Sequence, residues 1–313
     1  MKILLTGASG FTGMWFARGL ADSGHAITAT LTRPRSDYDG LRGRRLQALE
    51  PAVVFRTSTR FGEDAFLQLL EREGPWDLLC HHAAEVTNYR SPDFDPIQAL
   101  QRNAMRVNQA LAAFKHAGGT AILLTGSVFE PDEGVGNEPG RAFSPYGLSK
   151  GLTWQCFRYY AQTLGLKLGK FTIPNPFGPW EEPRFTSYLI RTWKEGRTAE
   201  VQTPDYVRDN IPADLLAACY VRFAQQLMAQ PALLTRFNPS GYVESQGAFA
   251  RRFAEEMRHR LRLECRLRLL PQTDHREPWM RVNHDPARAW VPAWDEARFW
   301  DQAAEYYLNC PSA

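Results

Sequence analysis

The chain opens with a short apolar strand, Lys2 to Leu5, that runs straight into Thr6-Gly7-Ala8-Ser9-Gly10-Phe11-Thr12-Gly13. A helical pattern with Phe16, Leu20 and Ala21 on one face follows and stops at Gly24. Glycines at a strand-to-helix turn let the backbone bend tightly and let a phosphate approach the main chain. The helix N-terminus then supplies unpaired N–H groups and the positive end of its dipole. A tight turn uses glycine for steric reasons alone, so it is the flanking strand and helix that point to a dinucleotide pyrophosphate.

Further apolar strands are predicted near Ile27–Leu31, Val53–Phe55, Leu78–Cys80, Ala121–Leu124 and Leu166–Phe171. Helical segments are predicted at Glu63–Glu73, Pro96–His116 and Ser149–Leu164. Strands alternating with helices predict an α/β fold, a Rossmann-like doubly wound parallel sheet. After Pro174 the rhythm loosens and proline and tryptophan become frequent. Residues 1–173 are therefore expected to form the dinucleotide-binding domain. Residues 174–313 are expected to form a smaller C-terminal α/β substrate lobe, with some elements packed back on the first domain. Phe249–Leu270 reads as an amphipathic helix leading into a strand, and Asp295–Leu308 as a closing helix.

Composition narrows the class. At 313 residues and 44% hydrophobic content the chain can bury a full core, and its net charge of only +3 argues against a nucleic-acid binder. No apolar run approaches the ~18 residues of a membrane helix, and the N-terminus does not read as a signal peptide. The five cysteines are scattered with no CxxC, so thiols reduced in a cytoplasm are expected and no metal site is. His81 and His82 are adjacent on a strand, where side chains point to opposite faces, so they do not chelate one ion.

An NAD site of this type places an acid at the end of the second strand, to hold the ribose 2′-hydroxyl. Here that stretch reads Leu31-Thr32-Arg33-Pro34-Arg35. Two arginines suit a 2′-phosphate, so NADP is expected over NAD, unless Arg33 and Arg35 are simply exposed loop charges. In Ser144-Pro145-Tyr146-Gly147-Leu148-Ser149-Lys150, Tyr146 and Lys150 are four apart and share one helix face. A nearby ammonium favours the phenolate and makes the tyrosine a usable acid/base.

TGASGFTG, the His81-His82-Ala83-Ala84 stretch, Asn103 opening a helical segment, LLTGSVFE and YGLSK together resemble the extended short-chain dehydrogenase/reductase family. Pro174-Asn175-Pro176-Phe177-Gly178-Pro179 and Arg208-Asp209-Asn210-Ile211-Pro212-Ala213-Asp214 are similar to that family's substrate-lobe motifs, in the same order along the chain. The resemblance implies an enzyme acting on a nucleotide-diphosphate sugar. It implies Tyr146 as acid/base, Lys150 as its tuning residue and ribose ligand, and Thr125 as the hydroxyl of the triad with Ser127 as runner-up. Gly7, Gly10, Phe11, Thr12, Gly13, Ala83, Ala84, Asn103 and Pro174 would line the dinucleotide. Asn175 and Arg208 would hold the nucleotide-sugar, although Arg208 could instead pair with Asp205, Asp209 or Asp214. Glu85 and Arg281 are further substrate candidates. A homodimer is implied through the helices near Ser149 and Pro96–His116, with Trp154, Phe157 and Tyr160 either at that interface or inside the monomer.

Departures from the family pattern sharpen the choice. The family's 4,6-dehydratases carry an Asp-Glu pair after the triad threonine, where this chain has Gly126-Ser127, so dehydration by that route is not expected. Hydride transfer at sugar C4 is expected, first as an NADPH-consuming 4-ketoreductase, next as a 4-epimerase with tightly bound NAD(P). A non-catalytic dinucleotide sensor stands last.

Overall fold

Strands that are apolar on both faces need cover on both faces, and alternating helices supply it. The computed structural model describes residues 1–136 and 138–309. It divides the chain into two units. The first comprises Met1–Glu133, Glu138–Ile173 and Ala217–Asn238; the second comprises Pro174–Leu216, the described residues from Pro239 onward, and 134–136. The boundary expected after residue 173 is one crossing point, and Ala217–Asn238 return to the first unit.

Elements of the first unit are β1 (Lys2–Thr6), α1 (Phe11–Asp22), β2 (Ala26–Thr30), α2 (Gly40–Leu49), β3 (Val53–Arg56), α3 (Asp64–Glu73), β4 (Leu78–His81), α4 (Pro96–Asn103), α5 (Val107–His116), β5 (Ala121–Ser127), α6 (Pro145–Leu164) and β6 (Lys167–Ile173). The second contributes β7 (Asn175–Phe177), α7 (Phe185–Lys194), β8 (Ala199–Val201) and β9 (Val207–Pro212). Helix α8 (Ala213–Ala229) begins in the second unit and continues in the first, followed there by β10 (Leu234–Phe237). The rest of the second unit is β11 (Pro239–Ser240), β12 (Tyr242–Ser245), α9 (Gln246–Leu261), β13 (Leu267–Leu269), β14 (Met280–Arg281), β15 (Asp285–Pro286), α10 (Ala287–Trp290) and α11 (Glu296–Asn309).

Seven parallel strands in the order β10-β6-β5-β4-β1-β2-β3 form the first unit's sheet. The chain reverses direction across the sheet between β1 and β4, the place where folds of this kind hold a dinucleotide. One face is covered by Trp76, Phe114, Trp154 and Phe157, which pack with Ile122 and Leu124 of β5. Trp154 and Phe157 are 6% and 0% exposed, so they are core residues of the monomer and not interface residues. On the other face Phe16 of α1 stacks on Tyr220 of α8, ring centroids 3.9 Å apart.

Two helices differ from the sequence expectation. The segment Pro96–His116 is broken at 104–106, where Arg106 takes a left-handed conformation (φ 45°) and its guanidinium bonds Asp64, 2.6 Å away. Helix α6 starts four residues earlier than expected. Ser144 caps it by accepting from the Gly147 N–H, and Pro145 occupies the first turn, where a missing N–H costs nothing.

In the second unit β9 pairs with β12, β14 and β7, and Phe177, Trp193, Phe249, Phe253, Phe299 and Trp300 make the core. Glu181 is buried there, accepting from the hydroxyls of Thr186 and Tyr307. Burial pushes its carboxyl from 4.5 up to about 7, against the lowering effect of those bonds. An acid whose value is raised on folding stabilises the fold below its unfolded value, and that contribution is lost as pH rises from about 4.5 to about 7. Glu181→Gln is therefore expected to raise the melting temperature at pH 8, by up to roughly 2–3 kcal/mol of stability, with no gain at pH 4.5. Thermal melts at the two pH values check this; an equal effect at both would refute it.

Candidate active site

Two of the three glycines are dictated by packing. A Cβ on Gly13 would lie 2.1 Å from the Gly7 carbonyl oxygen, and one on Gly7 (φ +86°) would lie 2.8 Å from the Ala83 nitrogen. The first turn of α1 thereby closes directly onto the end of β1 and the segment after β4. Gly10, the N-cap of α1, has only the Gly7 oxygen near its open side, at 3.4 Å, so a phosphate can approach the helix N-terminus there. These residues fit the pyrophosphate of a dinucleotide. Phe11 is buried beneath the turn, and Ala83 and Ala84 are partly exposed beside it.

Thr6, at the end of β1, holds this region together and was not singled out by the sequence reading. Its hydroxyl oxygen accepts from the His82 and Ala83 N–H groups at 3.1 and 3.0 Å and meets His81 Nδ1 at 3.2 Å. The signal was a hydroxyl closing an otherwise apolar strand. His81 Nε2 reaches the Asn103 carbonyl at 3.2 Å, and the Asn103 side chain accepts from the Glu85 N–H at 2.7 Å. Asn103 thus pins the segment that follows β4. Glu85 itself pairs with Arg102 at 2.7 Å. Partial burial raises its carboxyl, but bonds from Thr87 and Arg102 outweigh that and hold it at about 2.

At the sheet's other half, Lys150 is buried and donates to the Thr125 carbonyl at 2.6 Å. Desolvation lowers its ammonium to about 8, partly opposed by Glu130. The partly exposed Tyr146 ring packs against Tyr89 at 5.2 Å and Phe129 at 6.4 Å. Gly147 sits so close to the Phe129 carbonyl that a Cβ would lie 1.9 Å from it. Helix α6 therefore descends antiparallel to β5. Tyr146 lies one turn (~5.4 Å) above Lys150 on that helix, toward the end of β5 that carries Thr125 and Ser127. The Thr125 hydroxyl lies 3.1 Å from His82 Nδ1.

Gly126, between them, faces a buried ionic cluster. Lys170 lies 2.5 Å from Glu130 and 2.7 Å from Glu133, and Arg236 and Asn238 also reach Glu133. A Cβ on Gly126 would lie 2.8 Å from Lys170 Cε and 3.0 Å from Glu130 Oε1. A side chain at 126 would have to displace the ends of Lys170 and Glu130.

The adenosine end is less simple than the two expected arginines. Arg35 is tied to Glu50 at 2.9 Å and to the Tyr38 and Gly43 carbonyls. Arg33 is exposed, its guanidinium 4.8 Å above the Tyr38 ring. Arg45 of α2, fully buried and bonded to the Ser9 carbonyl, is a third cation at the turn. Nothing in its helical context marked it.

In the second unit the register of β14 on β9 places Arg281 beside Arg208. Both reach Glu277, at 3.4 and 2.7 Å. Arg208 also donates to the Val207 and Pro278 carbonyls and lies 4.4 Å above the Tyr206 ring. Its ion partner is thus Glu277, not Asp205, Asp209 or Asp214, because the chain folds residue 277 back against β9. Desolvation and the Arg208 charge lower Arg281 to about 10. Asn175, on β7, donates to the Asp209 carbonyl at 3.3 Å, and Pro174 before it is buried.

Gly13→Ala is expected to force the α1 turn away from β1 and weaken dinucleotide binding at least tenfold, about 1.4 kcal/mol, as read by titration with NADH or NADPH. Unchanged affinity would show that the turn does not hold the phosphates.

Comparison with known proteins gives the same assignment. Residues 3–238 match the model of the NAD dependent epimerase/dehydratase family. A UDP-glucose 4-epimerase of Mycolicibacterium smegmatis is 27% identical over 222 residues, 66% of this chain and 69% of that protein. Two solved structures share the fold. The UDP-Glc/GlcNAc 4-epimerase of Campylobacter jejuni has TM-score 0.74 and 17% identity, covering 99% of each chain. The UDP-glucuronic acid 4-epimerase of Bacillus cereus, in complex with UDP-glucuronic acid and NAD, has TM-score 0.72 and 17% identity, covering 98% of this chain and 99% of that one. With the glycine turn, the seven-stranded parallel sheet and the Tyr146–Lys150 pair in place, the chain belongs to the NAD dependent epimerase/dehydratase family, the nucleotide-sugar enzymes of the extended short-chain dehydrogenase/reductase type.

Proposed function

We propose that the protein is a 4-epimerase of a nucleotide-diphosphate sugar. The observation that carries this reading is the Tyr146–Lys150 pair on α6, with Lys150 bonded to β5, two strands from the dinucleotide turn. The bound dinucleotide would accept a hydride from sugar C4 and return it to the opposite face of the resulting ketone. Tyr146 takes the proton of the C4 hydroxyl during oxidation and gives it back on reduction. Lys150, an ammonium below its value of about 8, favours the phenolate. Thr125, with Ser127 two residues further along β5 as runner-up, supplies the second hydrogen bond to the sugar oxygen; a hydroxyl that meets His82 keeps a further lone pair for it. Arg208 and Arg281, side by side in the second unit, suit a diphosphate through forked contacts. Asn175, with Glu85, belongs to the same substrate reading.

The 4-ketoreductase needs the same groups, and the relatives named as 4-epimerases favour the epimerase. A 4,6-dehydratase is disfavoured because Gly126 and Ser127 offer no acid after Thr125. For the cofactor, the B. cereus epimerase is solved with NAD. In this chain, however, Leu31, Thr32 and Arg33 follow β2 with no carboxylate, so Arg33 is read as favouring the 2′-phosphate of NADP. The exposed side chains of Ile97 on α4 and Tyr159 on α6 suit a homodimer through those helices.

The deciding experiment has two steps. Dinucleotide released on denaturation is identified, and the protein is then assayed for interconversion of UDP-glucose and UDP-galactose. Retained dinucleotide with C4 inversion, and a 10²–10⁴-fold fall in kcat for Tyr146→Phe, is the expected result. An empty site that consumes NADPH only with a keto-sugar nucleotide would make it the ketoreductase. Full activity of Tyr146→Phe would overturn the mechanism.

A further inference from the structure

His82 stands just after β4, the strand between β1 and β5. Those two strands have no direct contact, being separated by two strand spacings of ~4.8 Å each. The imidazole spans the gap. Nε2 lies 3.1 Å from Thr12 Oγ1, in the first turn of α1, and Nδ1 lies 3.1 Å from Thr125 Oγ1, on β5. The ring is wedged against the Phe16 ring at 5.1 Å and beneath Gly13, where a Cβ would come within 2.9 Å of Cδ2. Both nitrogens are thus bonded and the ring has no freedom to turn.

What the two threonines carry gives the bridge its meaning. Thr12 belongs to the first turn of α1, whose N–H groups would face the phosphates of a bound dinucleotide. Thr125 offers its carbonyl to Lys150 at 2.6 Å and lies two residues before Ser127. One side chain therefore ties the phosphate end of the site to its reacting end. We propose that His82 is a positioning residue that registers the dinucleotide-binding turn against the β5 strand, so that dinucleotide affinity and the placement of the nicotinamide both depend on it. A leucine of similar volume would fill the space and fix neither side.

Desolvation, with the Lys150 ammonium, lowers this imidazole to about 3. At working pH the ring is neutral, one nitrogen donating and the other accepting. The bridge is therefore a fixed pair of hydrogen bonds and not a titrating switch.

The inference rests on the dinucleotide reading but not on the identity of the sugar, and its test needs no sugar substrate. His82→Leu, His82→Gln and His82→Asn would be titrated with NADH and NADPH, reading both the dissociation constant and the emission of the bound nicotinamide. A Gln amide reaches the place of Nε2 and an Asn amide that of Nδ1. The expected result is a dissociation constant about tenfold higher for His82→Leu with altered emission. Affinity is recovered mainly by His82→Gln, through Thr12, and emission mainly by His82→Asn, through Thr125. His82→Leu with unchanged affinity and emission would overturn the proposal. So would Gln and Asn variants that behave alike, whether or not the leucine variant folds. Failure to epimerise UDP-glucose would count against the proposed substrate and leave these readouts standing.

Discussion

The approach of Gly13 to the carbonyl of Gly7 is the constraint on which the site depends. A single methyl group there would overlap the oxygen. Without that approach the N-terminus of α1 could not close on the end of β1, and the segment after β4 could not lie against Gly7. Thr6 then completes the junction by accepting two N–H groups of that segment. Strand end, turn, helix and the 82–85 segment are thus one unit of packing, and a phosphate site follows from it because the helix N–H groups are left facing outward.

The reacting end is braced differently. Behind β5 and β6 lies a buried set of charges in which Lys170 bridges Glu130 and Glu133. Burying ions is costly unless each is paired, and removing one partner leaves the others uncompensated. Glu130 also accepts from the Ser127 N–H at 2.7 Å. The end of β5 is therefore held by the same cluster that fills the space beside Gly126. A side chain at 126 would have to intrude on this cluster.

Much of this was legible along the chain. The parallel sheet followed from local alternation, and the glycine turn and the Tyr146–Lys150 pair from spacing, because those relations span a few residues. The break at Arg106 was not legible, since the residue that anchors it, Asp64, is 42 positions away. The Thr125–Ser127 ambiguity was equally local in appearance. Counting along the motif favours Thr125, but the contact between Thr125 and His82 is set by packing between strands that no local count records.

The sequence by itself determined the fold class, the place of the dinucleotide turn and the phenol–ammonium pair, because each rests on periodicity or on contacts within one element. Tertiary structure alone decided which charges meet. It joined Arg208 and Arg281 at Glu277, tied Arg35 to Glu50, buried Arg45 beneath the turn, and set His82 between two threonines 113 residues apart. Such pairings depend on strand register and on loops returning from a distance, and no local pattern of residues records them.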